Sequence, residues 1–534
     1  MTSLAAGNVT RKANKFPSQK YRPDIDGLRA VAVLSVVAFH AFPEWLPGGF
    51  IGVDIFFVIS GFLISKIIFK KLDTSSFSLM DFYSRRICRI LPALIVVLIA
   101  CIAFGWTALL ASEYKLLGTH IVAGTTFTSN FLLLSESSYF DIATRAKPLL
   151  HLWSLGIEEQ FYIAWPITLI IVHWLRLNRL VTVFLLLIAA LLINLFTSNL
   201  SEAAKFYSPL SRAWELLFGA MIACISTIDS FNYTPASIHR STLVQVFNKY
   251  KTGIKNTTSV VGLFLITYAL TSTNESRATT GWWGIYSVIG SGLLILSGEH
   301  SLTNKTLLSS KALVGVGLIS FPLYLWHWPL LSFAQIVESE LPSLFSRLTL
   351  AVSSVLLAWL TYNFIELPIR NKTNTRKLSI ILLLSALVIG SVGYLIEKYD
   401  GLPSRDASMQ IERFTGDLGR ETYLHRLSNE YSRCQDQQLM HISSNDPLIG
   451  YRCFQSKPYE KIDLILIGDS HAEHIFPGLA KYLSAANVAS FIQPGIPTSN
   501  NPMFREAFEI IEKTDSIKIV ILSALWESKI RPNQ

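Results

Sequence analysis

Arg29 and His40 stand eleven residues apart around a run, Ala30 to Phe39, that is otherwise apolar. At roughly 100° per residue, eleven steps bring a helix back to within about 20° of its starting azimuth, so the two side chains share one face, about 16 Å apart along the axis. An ionisable group at bilayer depth must face protein or water, which makes the pair a functional candidate. A neutral imidazole can take the proton of a hydroxyl as its oxygen attacks a carbonyl, and a guanidinium suits an anionic partner. The alternative for a lone histidine in such a run is a helix–helix hydrogen bond. Asp54, Glu158, Glu159, Arg212 and Glu215 fall at similar depth to His40 on the expected spans and, with Tyr324 and His327 as further candidates, predict a polar cavity with His40 as its base. Arg212 and Glu215, three residues apart, also read as an internal salt bridge. The run Trp326-His327-Trp328-Pro329 also reads as an interfacial aromatic belt, and His151 carries the same ambiguity. Toward the other side, Arg85, Arg86 and Arg89 gather as forks that match phosphate oxygens, or as charges that only fix topology.

The elements that must hold these groups are membrane helices. Hydrophobic residues make up 51% of the 534, charged residues 16%, and the mean hydropathy is +0.40, which excludes an ordinary soluble chain. Apolar windows near 30–44, 49–69, 91–110, 157–174, 180–197, 207–226, 258–273, 281–297, 312–335, 346–364 and 378–396 predict about eleven spans. Basic residues cluster before the first window (Arg11, Lys12, Lys15, Lys20, Arg22), after the second (Lys70, Lys71), and then in alternate loops. That pattern places the N-terminus in the cytoplasm, and an odd span count places the C-terminal part outside. The net charge of +9 follows from this asymmetry. No basic patch interleaved with aromatics points to nucleic acid, no metal-ligand spacing occurs, and no cleavable signal precedes the first apolar run. Cys434 and Cys453 lie in the outer part and could pair there or remain thiols.

Beyond residue 400 the composition becomes that of a soluble protein. The strand Ile462 to Ile467 runs into Gly468-Asp469-Ser470-His471, ahead of a predicted helix from Ala472 to Leu483. A serine at such a strand-to-helix turn is exposed close to helix N-terminal amides, a setting for a nucleophile. Lys518 to Ser523 predicts a second parallel strand.

Several blocks together resemble the acyltransferase-3 family of membrane O-acyltransferases. They are Tyr21-Arg-Pro-Asp-Ile-Asp-Gly-Leu-Arg with His40, Gly49 to Ile64, Phe82 to Arg86 with Arg89 and Pro92, His151 to Tyr162, Arg212 to Gly219, and Ser320 to Pro329. The resemblance implies transfer of an acyl group, usually acetyl, from cytoplasmic acyl-CoA to a carbohydrate hydroxyl. It makes His40 the catalytic residue with Arg29, assigns acyl-CoA binding to Arg85, Arg86 and Arg89, and implies no bound cofactor. Gly468 to Ser470 resembles the first block of SGNH hydrolases, with Ser470 as nucleophile and Gly495 as a match to the glycine block. No Asp-x-x-His follows Ser470, and the strand at Ile519 ends Ser523-Ala-Leu-Trp526 without the oxyanion asparagine, so the triad is incomplete.

The fold class expected is a polytopic all-α membrane domain followed by a partial, doubly wound α/β domain of SGNH type outside the membrane. The divisions are a cytoplasmic tail (1–20), the acyltransferase-3 domain (21–398), a linker or extension (399–460) and the partial SGNH domain (461–534). The expected function is a bacterial inner-membrane O-acyltransferase whose partners are acyl-CoA, the lipid bilayer and an envelope glycan, with O-antigen of lipopolysaccharide as acceptor by analogy. The alternatives are a transporter of an acyl donor or lipid-linked sugar with His40 in a proton relay, a non-enzymatic assembly protein whose outer domain only binds glycan, and an inactive truncated transferase.

Overall fold

The computed structural model describes residues 21–136, 147–196, 202–228, 242–273, 284–338, 342–372, 374–405, 424, 427–446 and 450–524. The expected tail, 1–20, and the end of the Ser523-Ala-Leu-Trp526 run lie outside these described residues. The chain divides into two compact units, Met1–Ala407 and Ser408–Gln534.

The first unit is helical: α1 (Pro23–Ala41), α2 (Gly52–Asp73), α3 (Leu79–Ala108), α4 (Ala111–Thr125), α5 (Ser129–Glu136), α6 (Leu152–Trp174), α7 (Arg179–Phe196), α8 (Glu202–Tyr207), α9 (Pro209–Ile228) and α10 (Thr242–Ser272). After these come α11 (Gly284–Ser297), α12 (Lys311–Leu318), α13 (Ser320–Glu338), α14 (Leu344–Thr361), α15 (Leu367–Arg370) and α16 (Thr375–Lys398). Local chemistry sets several of the starts. Pro23 opens α1 with Asp24 and Asp26 in its first turn, where acids meet the positive end of the helix dipole. Ser78 caps α3 by accepting from the Asp81 amide, and Asn374 caps α16 by accepting from the Lys377 amide.

Each apolar window falls on a helix, but the expected count of about eleven spans is not reached. Among the described residues six helices are long and apolar enough to cross a membrane, and seven if α12 and α13, bent by 67° at their junction, count as one. The windows near 30–44, 207–226, 258–273 and 281–297 fall short. Three reasons can be read from the chain. Helix α1 carries Asp24, Asp26 and Arg29 as well as His40, and α9 carries Arg212 and Glu215. Helix α11 has 14 residues, about 21 Å of rise against a hydrocarbon core of about 30 Å. Helix α1, which bears Arg29 and His40, is one of those that fall short.

Close helix contact depends on glycines at several crossings. A β-carbon on Gly61 would sit 1.9 Å from the Leu216 carbonyl oxygen, and one on Gly219 would sit 2.1 Å from that of Val58, so α2 and α9 pack backbone to backbone. Gly317 makes the same allowance for α1, at the Asp26 carbonyl oxygen. The short helix α4, which the apolar windows did not reveal, packs on α16 where Gly118 faces Gly393. Broad apolar faces remain exposed on α16, including Leu387 (66%) and Val388 (62%), as suits a surface that meets hydrocarbon rather than water.

The second unit holds β1 (Ser432–Arg433), α17 (Gln437–Ile442), β2 (Asn445–Asp446), β3 (Gly450–Tyr451), β4 (Cys453–Gln455), β5 (Leu464–Gly468), α18 (Ser470–Tyr482), β6 (Val488–Ile492), α19 (Pro502–Glu512) and β7 (Ile519–Ser523). Strands β6, β5 and β7 are parallel, and β4 and β1 extend the sheet antiparallel in the order β1-β4-β6-β5-β7, while β2 and β3 pair separately. The expected doubly wound sheet is therefore a mixed one. Its inner strand is buried on both faces: Leu464 and Leu466 share a core with Ala472 and Phe476 of α18, while Ile465 and Ile467 share another with Phe504 and Ala507 of α19. Cys434 and Cys453 are joined in a disulfide with their Cα atoms 5.3 Å apart, within the extension that the sequence read as little more than a linker.

Candidate active site

Helices α1 and α13 bring two histidines together. His40 Nδ1 lies 2.9 Å from His327 Nε2, with the rings inclined by only 11°, and His327 Nδ1 lies 3.2 Å from the Leu323 carbonyl oxygen one turn back on its own helix. The Trp328 ring packs on His40 at 4.5 Å, and its Nε1 donates to the Lys147 carbonyl at 2.8 Å, which fixes the ring against the segment leading into α6. His151 joins the same group, its ring 5.8 Å from His327 and 5.4 Å from Tyr324. Tyr324 donates to the His151 carbonyl at 2.8 Å and sits 2.6 Å from the Ser154 hydroxyl. His327, His151 and Tyr324 are buried, and His40 is half-buried. The aromatic-belt reading of the Trp-His-Trp-Pro run therefore fails: its three rings point inward.

On the other side of Tyr324 lies a cavity between α1, α2, α3, α6 and α13. Arg29, Arg86, Arg89, Ser60, Glu158, Tyr162, Ser154, Ser320 and Tyr324 supply its polar lining, and Phe56, Phe57, Ile59, Leu63, Ile90 and Phe321 much of the rest. Arg29 donates to Asp26 at 3.2 Å, and the Arg86 guanidinium stacks over Tyr162 at 5.0 Å. Among the described residues neither Arg86 nor Arg89 has a carboxylate at ion-pair distance. Glu158 accepts from Ser60 at 2.8 Å. A low-dielectric slot with more guanidinium than carboxylate favours an anionic occupant. Helical phase separates the three arginines expected to act alike: Arg86 and Arg89, three apart, line the cavity, whereas Arg85 is exposed and its Nε donates to the Asp81 carbonyl of its own helix.

The polar residues expected in one cavity divide into three places. Glu158 belongs to the arginine cavity, and Tyr324 lies between it and His327. Asp54, Arg212 and Glu215 form a separate buried cluster: Arg212 Nη2 donates to Asp54 at 2.5 Å, its Nε lies 3.2 Å from Glu215, and Ser287 donates to Asp54 at 3.1 Å. The rings of Phe57, Trp153 and Phe206 surround that guanidinium at 5.5, 5.7 and 5.8 Å, so Arg212 is paired with Glu215 and with Asp54 in an aromatic enclosure. Glu159 is buried apart from the lining, and its Oε1 meets no partner among the described residues. Ser60 and Ser154 were not singled out in the sequence, and Trp328 was read only as part of an aromatic belt. Their only signal was polarity, or an indole donor, inside apolar runs.

In the second unit Ser470 is the first residue of α18 and is exposed at the carboxyl end of β5. Since β6 lies on one side of β5 and β7 on the other, this is the sheet's switch point, where an open α/β sheet leaves a crevice. Gly495, in the loop after β6 at the same end of the sheet, has φ +112°, and a β-carbon there would stand 2.9 Å from Asn501 Nδ2. Asp469 accepts the His471 amide at 2.9 Å as the cap of α18, and the His471 ring turns to Asp469 at 3.1 Å. Among the described residues no hydrogen bond joins a base to Ser470.

Comparison with known proteins agrees with this two-part organisation. A family model described as an acyltransferase domain matches residues 22–363, and one described as an SGNH domain fused to such domains matches residues 433–533. The peptidoglycan O-acetyltransferase of Listeria monocytogenes is 31% identical over 361 residues, 66% of this chain and 56% of that protein. A Bacillus subtilis protein provisionally named for the same activity is 32% identical over 374 residues, 67% of this chain and 56% of that protein. The chain thus spans little more than half the length of these curated relatives. No solved structure matches it.

Proposed function

This chain belongs to the acyltransferase-3 family, and from that premise we propose that it is a membrane O-acetyltransferase that takes an acetyl group from acyl-CoA and delivers it to a hydroxyl of a cell-envelope glycan. One observation carries the reading: a cavity lined by Arg29, Arg86 and Arg89 ends at Tyr324, and His327, one turn on, is bonded to His40. The guanidinium groups suit the phosphates of a nucleotide thioester, since planar forks bind phosphate oxygens in pairs. Arg29 and His40 lie about 16 Å apart along α1, which suits a donor held by its phosphates at one end and reacting at the other. His40 is the general base at the reacting end. Ser470, at the switch point of the outer sheet, is the residue to receive the acyl group and pass it to the sugar; an unchanged rate in Ser470→Ala would remove it from the path.

The Cys434–Cys453 disulfide suits an oxidising compartment and supports a periplasmic outer domain, and the alternation of basic loops supports a cytoplasmic N-terminus in the inner membrane. Peptidoglycan, which stands in the names of two relatives, is the first acceptor to test, ahead of O-antigen. Proton NMR of envelope glycans from cells expressing the chain, its His40→Ala variant or neither tests the proposal. O-acetyl signals that need both the chain and His40 support it. Equal signals from parent and variant refute it.

A further inference from the structure

Resting on the assignment of His40 as base, we propose that His327 is a positioning residue that sets the tautomer of His40 and so decides which nitrogen does the chemistry. A carbonyl oxygen can only accept, so the 3.2 Å contact between His327 Nδ1 and the Leu323 carbonyl puts the proton of His327 on Nδ1. His327 is 1% exposed, lies among the rings of His40, His151 and Tyr324, and has no carboxylate at ion-pair distance among the described residues, surroundings that accommodate a neutral imidazole and not an unpaired cation. Its Nε2 therefore bears a lone pair. His40 Nδ1, 2.9 Å away, must be the donor, and the lone pair of His40 falls on Nε2.

The near-coplanar rings and the Trp328 ring against His40 hold this arrangement, so His40 Nε2 is the atom that meets the acceptor hydroxyl. In the transfer step the hydroxyl proton moves to Nε2 while its oxygen bonds to the acyl carbon. The carbon–sulfur bond then breaks, and the proton passes from Nε2 to the departing thiolate. His40 begins and ends the step in the same tautomer. His327 touches neither substrate and changes no bond; without its acceptor, His40 can place its proton on Nε2 and lose its basic nitrogen at the site.

The test compares His327→Leu with His327→Gln in the full chain, reading acetyl transfer from radiolabelled acetyl-CoA in membranes. Glutamine can present an amide oxygen near the position of Nε2 and accept from His40 Nδ1, whereas leucine cannot. Loss of the correct tautomer in a catalytic triad costs up to about 10⁴-fold in rate. His327 is one step further from substrate, so kcat should fall on the order of 10²-fold in His327→Leu with KM for acetyl-CoA unchanged, and return to within about tenfold of the parent in His327→Gln. A parental kcat in His327→Leu overturns the inference, as does a folded His327→Gln whose kcat is as low as that of His40→Ala. If His327→Leu does not fold, the glutamine variant alone decides by the same limits. An active His40→Ala chain would instead refute the function proposed above, so the two failures are distinct.

Discussion

Arg85 and Arg89 offer a sharp contrast, because one helix presents one to its surface and the other to the cavity. Replacing Arg89 with alanine removes a charged donor from the proposed phosphate site. A hydrogen bond to a charged group contributes about 1.5–3 kcal/mol, and the loss should raise KM for acetyl-CoA by about ten- to a hundredfold. The effect should fall on KM more than on kcat, since phosphates held away from the reacting carbonyl are bound alike in ground and transition states. Arg85→Ala removes an exposed charge whose Nε bonds to its own helix, and KM should stay within about twofold. Initial rates with radiolabelled acetyl-CoA in membrane vesicles, normalised to inserted protein, measure both. Equal shifts in the two variants, or no shift in Arg89→Ala, would mean that these arginines set topology alone and that the cavity is not the donor site.

Three further outcomes follow from packing and covalent structure. Gly219→Ala puts a β-carbon 2.1 Å from the Val58 carbonyl oxygen, so α2 and α9 must part; overpacking of this kind costs about 1–3 kcal/mol and should lower the melting temperature of detergent-solubilised protein. Cys453→Ser opens a loop closed across a sequence separation of 19, a loss of roughly 3 kcal/mol that limited proteolysis of the second unit should show as faster cleavage. Arg452 makes a bidentate pair with the buried Glu473, at 2.8 and 2.5 Å, so Glu473→Gln leaves a guanidinium without its counter-charge. A cost of about 3–5 kcal/mol is expected, read by the same proteolysis, and parental resistance would contradict it.

Much of the site was legible because membrane sequence makes polar residues conspicuous. Arg29, His40, Glu158 and His327 all interrupt apolar runs, and helical phase alone put Arg29 and His40 on one face. Depth along the chain could not tell which polar groups share a cavity. Asp54, Arg212 and Glu215 lie at a level similar to His40 in sequence, yet they pair with one another in a cluster of their own, with the rings of Phe57, Trp153 and Phe206 around the Arg212 guanidinium. The three arginines after α2 differ only by rotation about one helix, which composition does not record. The span count suffered from the opposite effect, because the charges that make α1 and α9 interesting lower their hydropathy. In the second unit the motif at Ser470 and the strand beneath it were readable from a continuous apolar run. The antiparallel strands β1 and β4 were not, being two and three residues long in a polar stretch.

The most direct test of the account is a single-turnover measurement of acetyl transfer from radiolabelled acetyl-CoA by the reconstituted chain, parent against His40→Ala. General-base catalysis contributes about 10²–10⁴-fold, so the variant should lose that much in rate while the acetyl-CoA concentration for half-maximal rate, assigned by the proposal to Arg29, Arg86 and Arg89, stays at the parental value. An undiminished rate in His40→Ala would contradict the central claim that His40 is the base.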